Sequence, residues 1–147
     1  MKKLLLPLLL TLLVSACGTT STVSTSELLA PIPSRQARIV VERDTSLLFL
    51  GAGAVVEVGG ARIGTIGRGG SVSRDVAAGP VTVKVRAVAS AGQFVVRFNA
   101  KAGKTYRFMV SPRSDQMLLG AAFGAIGDAV SADISENSGY FQIAMVP

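Results

Sequence analysis

The chain of 147 residues carries 15 Lys and Arg against 9 Asp and Glu, a formal net charge of +6, with no His, no Trp and a single Cys. That length suits one domain with a core large enough to hold without disulfides. The lack of histidine excludes Ser-His and Cys-His nucleophilic systems, histidine general bases and nearly all zinc catalysis. The basic residues are spread over the whole chain and not gathered in a dense patch with stacking aromatics, so no nucleic-acid partner is expected.

In chain order, Lys2 and Lys3 precede an apolar run from Leu4 to Val14, and Ser15-Ala16 precede Cys17. A positive start, a short apolar run and small residues before a cut are the parts of a secretory signal. At about 1.5 Å of rise per residue the run covers roughly half of a hydrocarbon core of about 30 Å, so it is too short to span a bilayer. Val14-Ser15-Ala16-Cys17 resembles a bacterial lipobox, which implies a signal peptide over 1–16 and a lipidated Cys17 as the first mature residue. Gly18, not Asp, follows the cysteine. By similarity to sorted lipoproteins this implies the periplasmic face of the outer membrane rather than the inner membrane. Gly18 to Ser26 is small, polar and uncharged, which reads as a flexible tether. Pro31 and Pro33 favour extended backbone around them, so residues 17–34 are expected to be lipidated Cys and tether, and 35–147 the folded domain.

From Arg35 the periodicity is two. Arg38 to Arg43 reads as a short strand, and Ser46 to Leu50 is a second apolar run ended by Gly51-Ala52-Gly53. Val55 to Val58 and Ala61 to Ile66 flank Gly59-Gly60, a hairpin signal because both turn positions take positive φ. Ser71 to Val76 is thin and polar, an expected edge strand. Val81, Val83, Val85 and Ala87 alternate with Thr82, Lys84, Arg86 and Val88, which places one face in the core and one in water. Phe94 to Ala100 and Thr105 to Ser111 alternate in the same way, and Gly139 to Val146 reads as a final strand returning near the first. Before it, Asp115 can cap a helix from Gln116 to about Val130. Gly120, Gly124 and Gly127 share one face of that helix, either a small-residue docking face or a short cover over one end of the fold. Many short strands with glycine-rich turns predict a mostly β protein, a single antiparallel β-sandwich with one short Gly/Ala-rich helix before the last strand.

No chemistry-bearing constellation emerges. No Ser-x-x-Lys occurs, and the spacing of the acids suggests no paired-carboxylate hydrolase. Asp128, Asp133 and Glu136 lack the alternating oxygen ligands of a calcium loop. Gly51-x-Gly53 and Gly67-x-Gly69-Gly70 are followed by neither Gly-Lys-Ser/Thr nor a helix, so they are not phosphate loops. No enzyme activity, cofactor or metal is expected.

Four stretches carry a family resemblance: Arg38 to Arg43, Val56 to Ile66, Ala78-Gly79-Pro80-Val81-Thr82-Val83 and Ala102-Gly103-Lys104-Thr105-Tyr106. Together they resemble small bacterial envelope lipoproteins with the domain of unknown function numbered twenty-eight forty-six. The Val-x-Val-x-Gly hairpin is also similar to β-sandwich repeats of the PEGA type. The family has no established activity, so the resemblance implies no catalytic residue. The expectation is a lipoprotein anchored through Cys17 that presents a non-enzymatic interaction module in the periplasm. Two rival readings stand beside it. One is a glycan or peptidoglycan-binding module using the exposed face of Lys84, Arg86 and Arg97. The other is an accessory subunit of an envelope complex, docking through Gly120, Gly124 and Gly127.

Overall fold

A computed structural model of the chain describes residues 21–88, 90–114 and 136–147. Cys17 and the expected helix with Gly120, Gly124 and Gly127 lie outside the described residues. What is described is mostly β: eight strands in two four-stranded sheets, neither closed into a barrel, and one short helix. In chain order they are α1 (Thr25–Leu29), β1 (Gln36–Arg43), β2 (Ala54–Val58), β3 (Ala61–Ile66), β4 (Ser71–Ala77), β5 (Gly79–Ala87), β6 (Phe94–Ala100), β7 (Thr105–Pro112) and β8 (Phe141–Val146). The first sheet has the order β4-β1-β7-β8 and the second β3-β2-β5-β6.

Alternation decides what each strand buries. Ala37, Ile39 and Val41 of β1, Phe108 and Val110 of β7, and Phe141 and Ile143 of β8 point inward from the first sheet. They meet Val56 and Val58 of β2 and Val81, Val83, Val85 and Ala87 of β5, and the inner faces of both sheets form one apolar core. The β2–β3 hairpin turns on Gly59 and Gly60 with φ of 59° and 81°, as the glycine pair predicts. β4 is an edge strand, also as expected.

Two expectations need correction, the all-antiparallel sheets and the free tether. The sheets are not all antiparallel, because β1 runs parallel to β7, with Val40 beside Arg107 and Val41 beside Phe108. A parallel neighbour needs a long crossover, and here everything from β2 to β6 supplies it. The last strand returns to the sheet that holds β1, as expected, and pairs there with β7. The run Ser46 to Leu50 forms no strand. It turns, with Phe49 at a φ of 54°, and the Phe49 ring packs inward on Tyr140 and Phe141 with centroids 4.9 and 6.2 Å away. Finally, residues from Ser21 onward are docked on the first sheet instead of forming a free tether. Ser71 donates its amide to the Ser21 carbonyl, Val23 donates to Ser71 Oγ, and Ser73 Oγ donates to the Glu27 carboxylate. Ser24 caps α1 by accepting from the Glu27 amide, an oxygen at the position where helix amides lack partners.

Two buried arginines hold this arrangement. Arg38, only 4% exposed, pairs one guanidinium edge with Asp75, Nε and Nη2 donating to its two oxygens at 2.8 and 2.9 Å, and its Nη1 donates to the carbonyls of Glu27, Leu28 and Ala30. Those are the carbonyls a helix end leaves without partners. The Asp75 hydrogen bonds, against the opposing effect of burial, raise the Arg38 pKa above its ordinary value. Arg43, 3% exposed, lies with its guanidinium carbon 4.5 Å from the centre of the Phe141 ring. It donates to the carbonyls of Phe49, Ala52 and Ile66. Burial lowers its pKa from the ordinary value.

Candidate functional site

The outer face of the second sheet brings together the three predicted basic residues and adds partners that the sequence did not single out. Strand pairing sets Glu57 of β2 opposite Lys84 of β5, and Thr82 of β5 opposite Arg97 of β6. These four share a face because each lies at an outward position of its strand. Lys84 Nζ stands 3.1 Å from one Glu57 oxygen and Arg86 Nε 3.6 Å from the other. Arg97 forms a two-pronged pair with Glu136, its Nη1 donating to Oε2 at 2.6 Å and its Nη2 to Oε1. Between these pairs runs an open groove of about 330 Å³, whose floor and walls include Thr82, Lys84, Gln93 and Val95.

The electrostatics are mixed. Three cations face two carboxylates, so the predicted basic face is largely neutralised. Hydrogen bonds from Arg97, joined by the charges of Arg97 and Lys84, pull the Glu136 pKa below the usual carboxylate value, and Glu136 raises that of Arg97 in return. Glu136 is therefore held ionised and is no proton donor near neutral pH. Carboxyamide, hydroxyl, guanidinium and ammonium groups along an open strip can exchange hydrogen bonds with a polar ligand. Among the described residues no three His, Cys, Asp or Glu side chains are grouped to hold a metal ion.

No protein-family model matches the chain, and no curated protein matches it. The reading of this face thus stands on its residues alone.

Sequence reasoning found Lys84, Arg86 and Arg97 but missed Glu57 and Glu136. Glu57 was legible in principle, since it is the outward residue of β2, but only knowledge that β2 pairs with β5 places it against Lys84. Glu136 lies 39 residues from Arg97 and no spacing rule joins them. It reaches the site because residues just after it bind the start of β6: Ser138 donates its amide to the Gln93 carbonyl at 2.8 Å, and Asn137 bridges Phe94. The chain approaches so closely there that Gly92, at a φ of 91°, touches Gly139 backbone to backbone.

Proposed function

We propose that this chain is a membrane-anchored bacterial lipoprotein that presents a non-enzymatic β-sandwich as an interaction module in the periplasm, held by acyl chains on Cys17 at the outer membrane. The observation that carries the reading is the N-terminal sequence: two lysines, an apolar run too short to span, and Val14-Ser15-Ala16 directly before the only cysteine of the chain. Each buried methylene of an acyl chain contributes about 0.8 kcal/mol, so two or three chains anchor firmly. The two sheets with a common core support the sandwich, and the resemblance to envelope lipoproteins agrees with both. Among the described residues no helix is long and apolar enough to cross a membrane, so a lipid on Cys17 is the anchor this reading requires. The test is Cys17→Ala expressed beside the parent chain, with labelled palmitate, intact mass and membrane fractionation. The parent should incorporate label and sediment with outer membranes, and the variant should remain uncleaved and unlabelled. A variant that is still processed and retained in membranes like the parent sinks the reading.

The groove beside Lys84 and Arg97 favours a second reading, a module for polar glycan or peptidoglycan. Its lining offers both donors and acceptors, as sugars and stem-peptide carboxylates require. Purified sacculi should retain the protein on sedimentation and release it when Lys84 and Arg97 are both changed to Ala. No retention of the parent protein removes this reading.

A further inference from the structure

We propose that the loop 44–53, through Leu47 and Leu50, rests on and inserts into the surface of the bilayer that carries the Cys17 anchor. The inference builds on the lipoprotein reading and adds which surface of the domain meets lipid.

Two independent observations meet at this end of the molecule. The first is reach. Ser21 is already bound to Ser71 at the start of β4, so only three residues, Gly18 to Thr20, separate the docked chain from Cys17, a path of four residue steps. Fully extended, they cover at most about 14 Å, at roughly 3.5 Å per residue. The headgroup layer is itself about 5–7 Å deep, so the end of the domain beside Ser21 is held against it.

The second is what that end displays. From Ser71 the contacts run directly into the loop: Arg43 donates its amide to the Gly70 carbonyl, Gly69 donates to the Asp44 carbonyl, and the exposed Arg68 donates from Nε to the Thr45 carbonyl at 2.7 Å. The loop then presents Leu47 and Leu50, 68% and 57% exposed. Val88, whose amide donates to the Gly53 carbonyl, is a third exposed apolar side chain at the same end.

These leucines are not on a loose loop. Arg43 donates to the Phe49 and Ala52 carbonyls, and the Phe49 ring packs against both Tyr140 and Phe141. Phe49 is turned inward at a positive φ, while Leu47 and Leu50 on either side of it are turned out. A rigid turn that holds two leucines in water, with an arginine at the polar rim, suits an interface whose inner part is apolar and whose outer part carries phosphate.

The test uses the full lipidated chain in vesicles of phosphatidylethanolamine and phosphatidylglycerol. With Cys17 acylated, the variants Leu47→Cys, Leu50→Cys and Lys101→Cys each offer one thiol for an environment-sensitive fluorophore. Lys101 is exposed in the β6–β7 turn, at the opposite end of the strands. All three positions are exposed, so none of the changes disturbs the core. Labels at 47 and 50 should shift to the blue and be quenched several-fold more by headgroup-region nitroxide lipids than the label at 101. Equal, water-like emission and quenching at all three positions, with the acyl mass on Cys17 verified, overturns the proposal and leaves the anchor standing. A mass without acyl chains overturns the anchor and the proposal with it. Protection at 47 and 50 that grows with protein density and ignores the lipid quencher assigns the patch to a second copy of the chain, and also overturns it.

Discussion

Replacing Arg43 by Met keeps an apolar stem of similar length and removes every donor beneath the 44–53 loop. Two short hydrogen bonds, to the carbonyls of Phe49 and Ala52, are lost, together with a longer one to Ile66 at 3.4 Å. A hydrogen bond to a charged donor is worth about 1.5–3 kcal/mol. The loop residues are half-buried, so water recovers part of that, leaving about 1–2 kcal/mol for each of the two. The stacking of the guanidinium on Phe141 adds about 1 kcal/mol, although a methionine sulfur regains some of it. The opposing effect is relief from burying a charge, which in other proteins makes apolar replacement of buried ions neutral or stabilising. It is smaller here because a guanidinium is weakly hydrated and three carbonyls already surround it, although Nε has no partner among the described residues. The balance is a loss of about 2–3 kcal/mol, which lowers the melting temperature of a domain this size by roughly 8–12 °C. Differential scanning calorimetry measures it, and hydrogen exchange should show faster exchange at the Ala52 amide, which bonds the Phe49 carbonyl. Arg43→Lys keeps the charge but lacks the planar fork that sets Nη1 on Ala52 and Nη2 on Phe49 and stacks on Phe141, so part of the loss should remain. Unchanged or raised stability of Arg43→Met would refute the argument, since it would mean that guanidinium desolvation outweighs the bonds it makes.

Three further outcomes are expected. Arg38→Met should release α1 from the first sheet, with hydrogen exchange rising at the Leu28 and Ala30 amides while the amides of β1 keep their protection. Gly92→Ala places a Cβ 2.7 Å from the Gly139 amide nitrogen at a φ of 91°, and urea unfolding should report a loss of about 2 kcal/mol or more. Because the Glu136 carboxyl sits below its ordinary value of 4.5 in the folded chain, its pairing with Arg97 and the nearby Lys84 stabilises the fold above that pH. The contribution disappears as pH falls through the lower folded value. Glu136→Gln should therefore cost stability at neutral pH but not in strong acid, so parent and variant urea midpoints should converge on acidification.

The strands were legible where one face is apolar and the other polar. β5 is the clearest case, and its inward residues Val81, Val83, Val85 and Ala87 are those the alternation picks out. The hairpin at Gly59-Gly60 was legible from turn chemistry alone. Strand order was not, because period two says which face is buried and nothing about the neighbour. Hence the parallel pairing of β1 with β7 and the Glu57–Lys84 contact were beyond reach. Arg38 and Arg43 read as surface charges, as most arginines are. Their burial depends on carbonyls brought in from α1 and the 44–53 loop, which no local pattern records. The stretch before Arg35 read as linker because it is small and polar. It is fixed instead by hydrogen bonds to Ser71 and Ser73 and by the grip of Arg38, which need little apolar area. The Ser46 to Leu50 run shows that apolar character alone does not say which side chains are buried: Phe49 turns inward, while Leu47 and Leu50 stay in water.

The parallel pairing of β1 with β7 also sets an order of assembly. A chain that emerges from its N-terminus delivers β1 and β4 early, and they pair antiparallel with each other. The second sheet is complete once β6 has emerged. The other edge of β1, including Ile39 to Val41, then has no partner until β7 arrives, 67 residues behind it in register. Contacts at such separation close slowly, and an apolar strand edge left open in the meantime is a template for aggregation. Completion of the first sheet is thus tied to delivery of the C-terminal third of the chain. A product truncated before Thr105 would keep one finished sheet and expose the unfinished one, a form suited to holding by chaperones and removal by proteases.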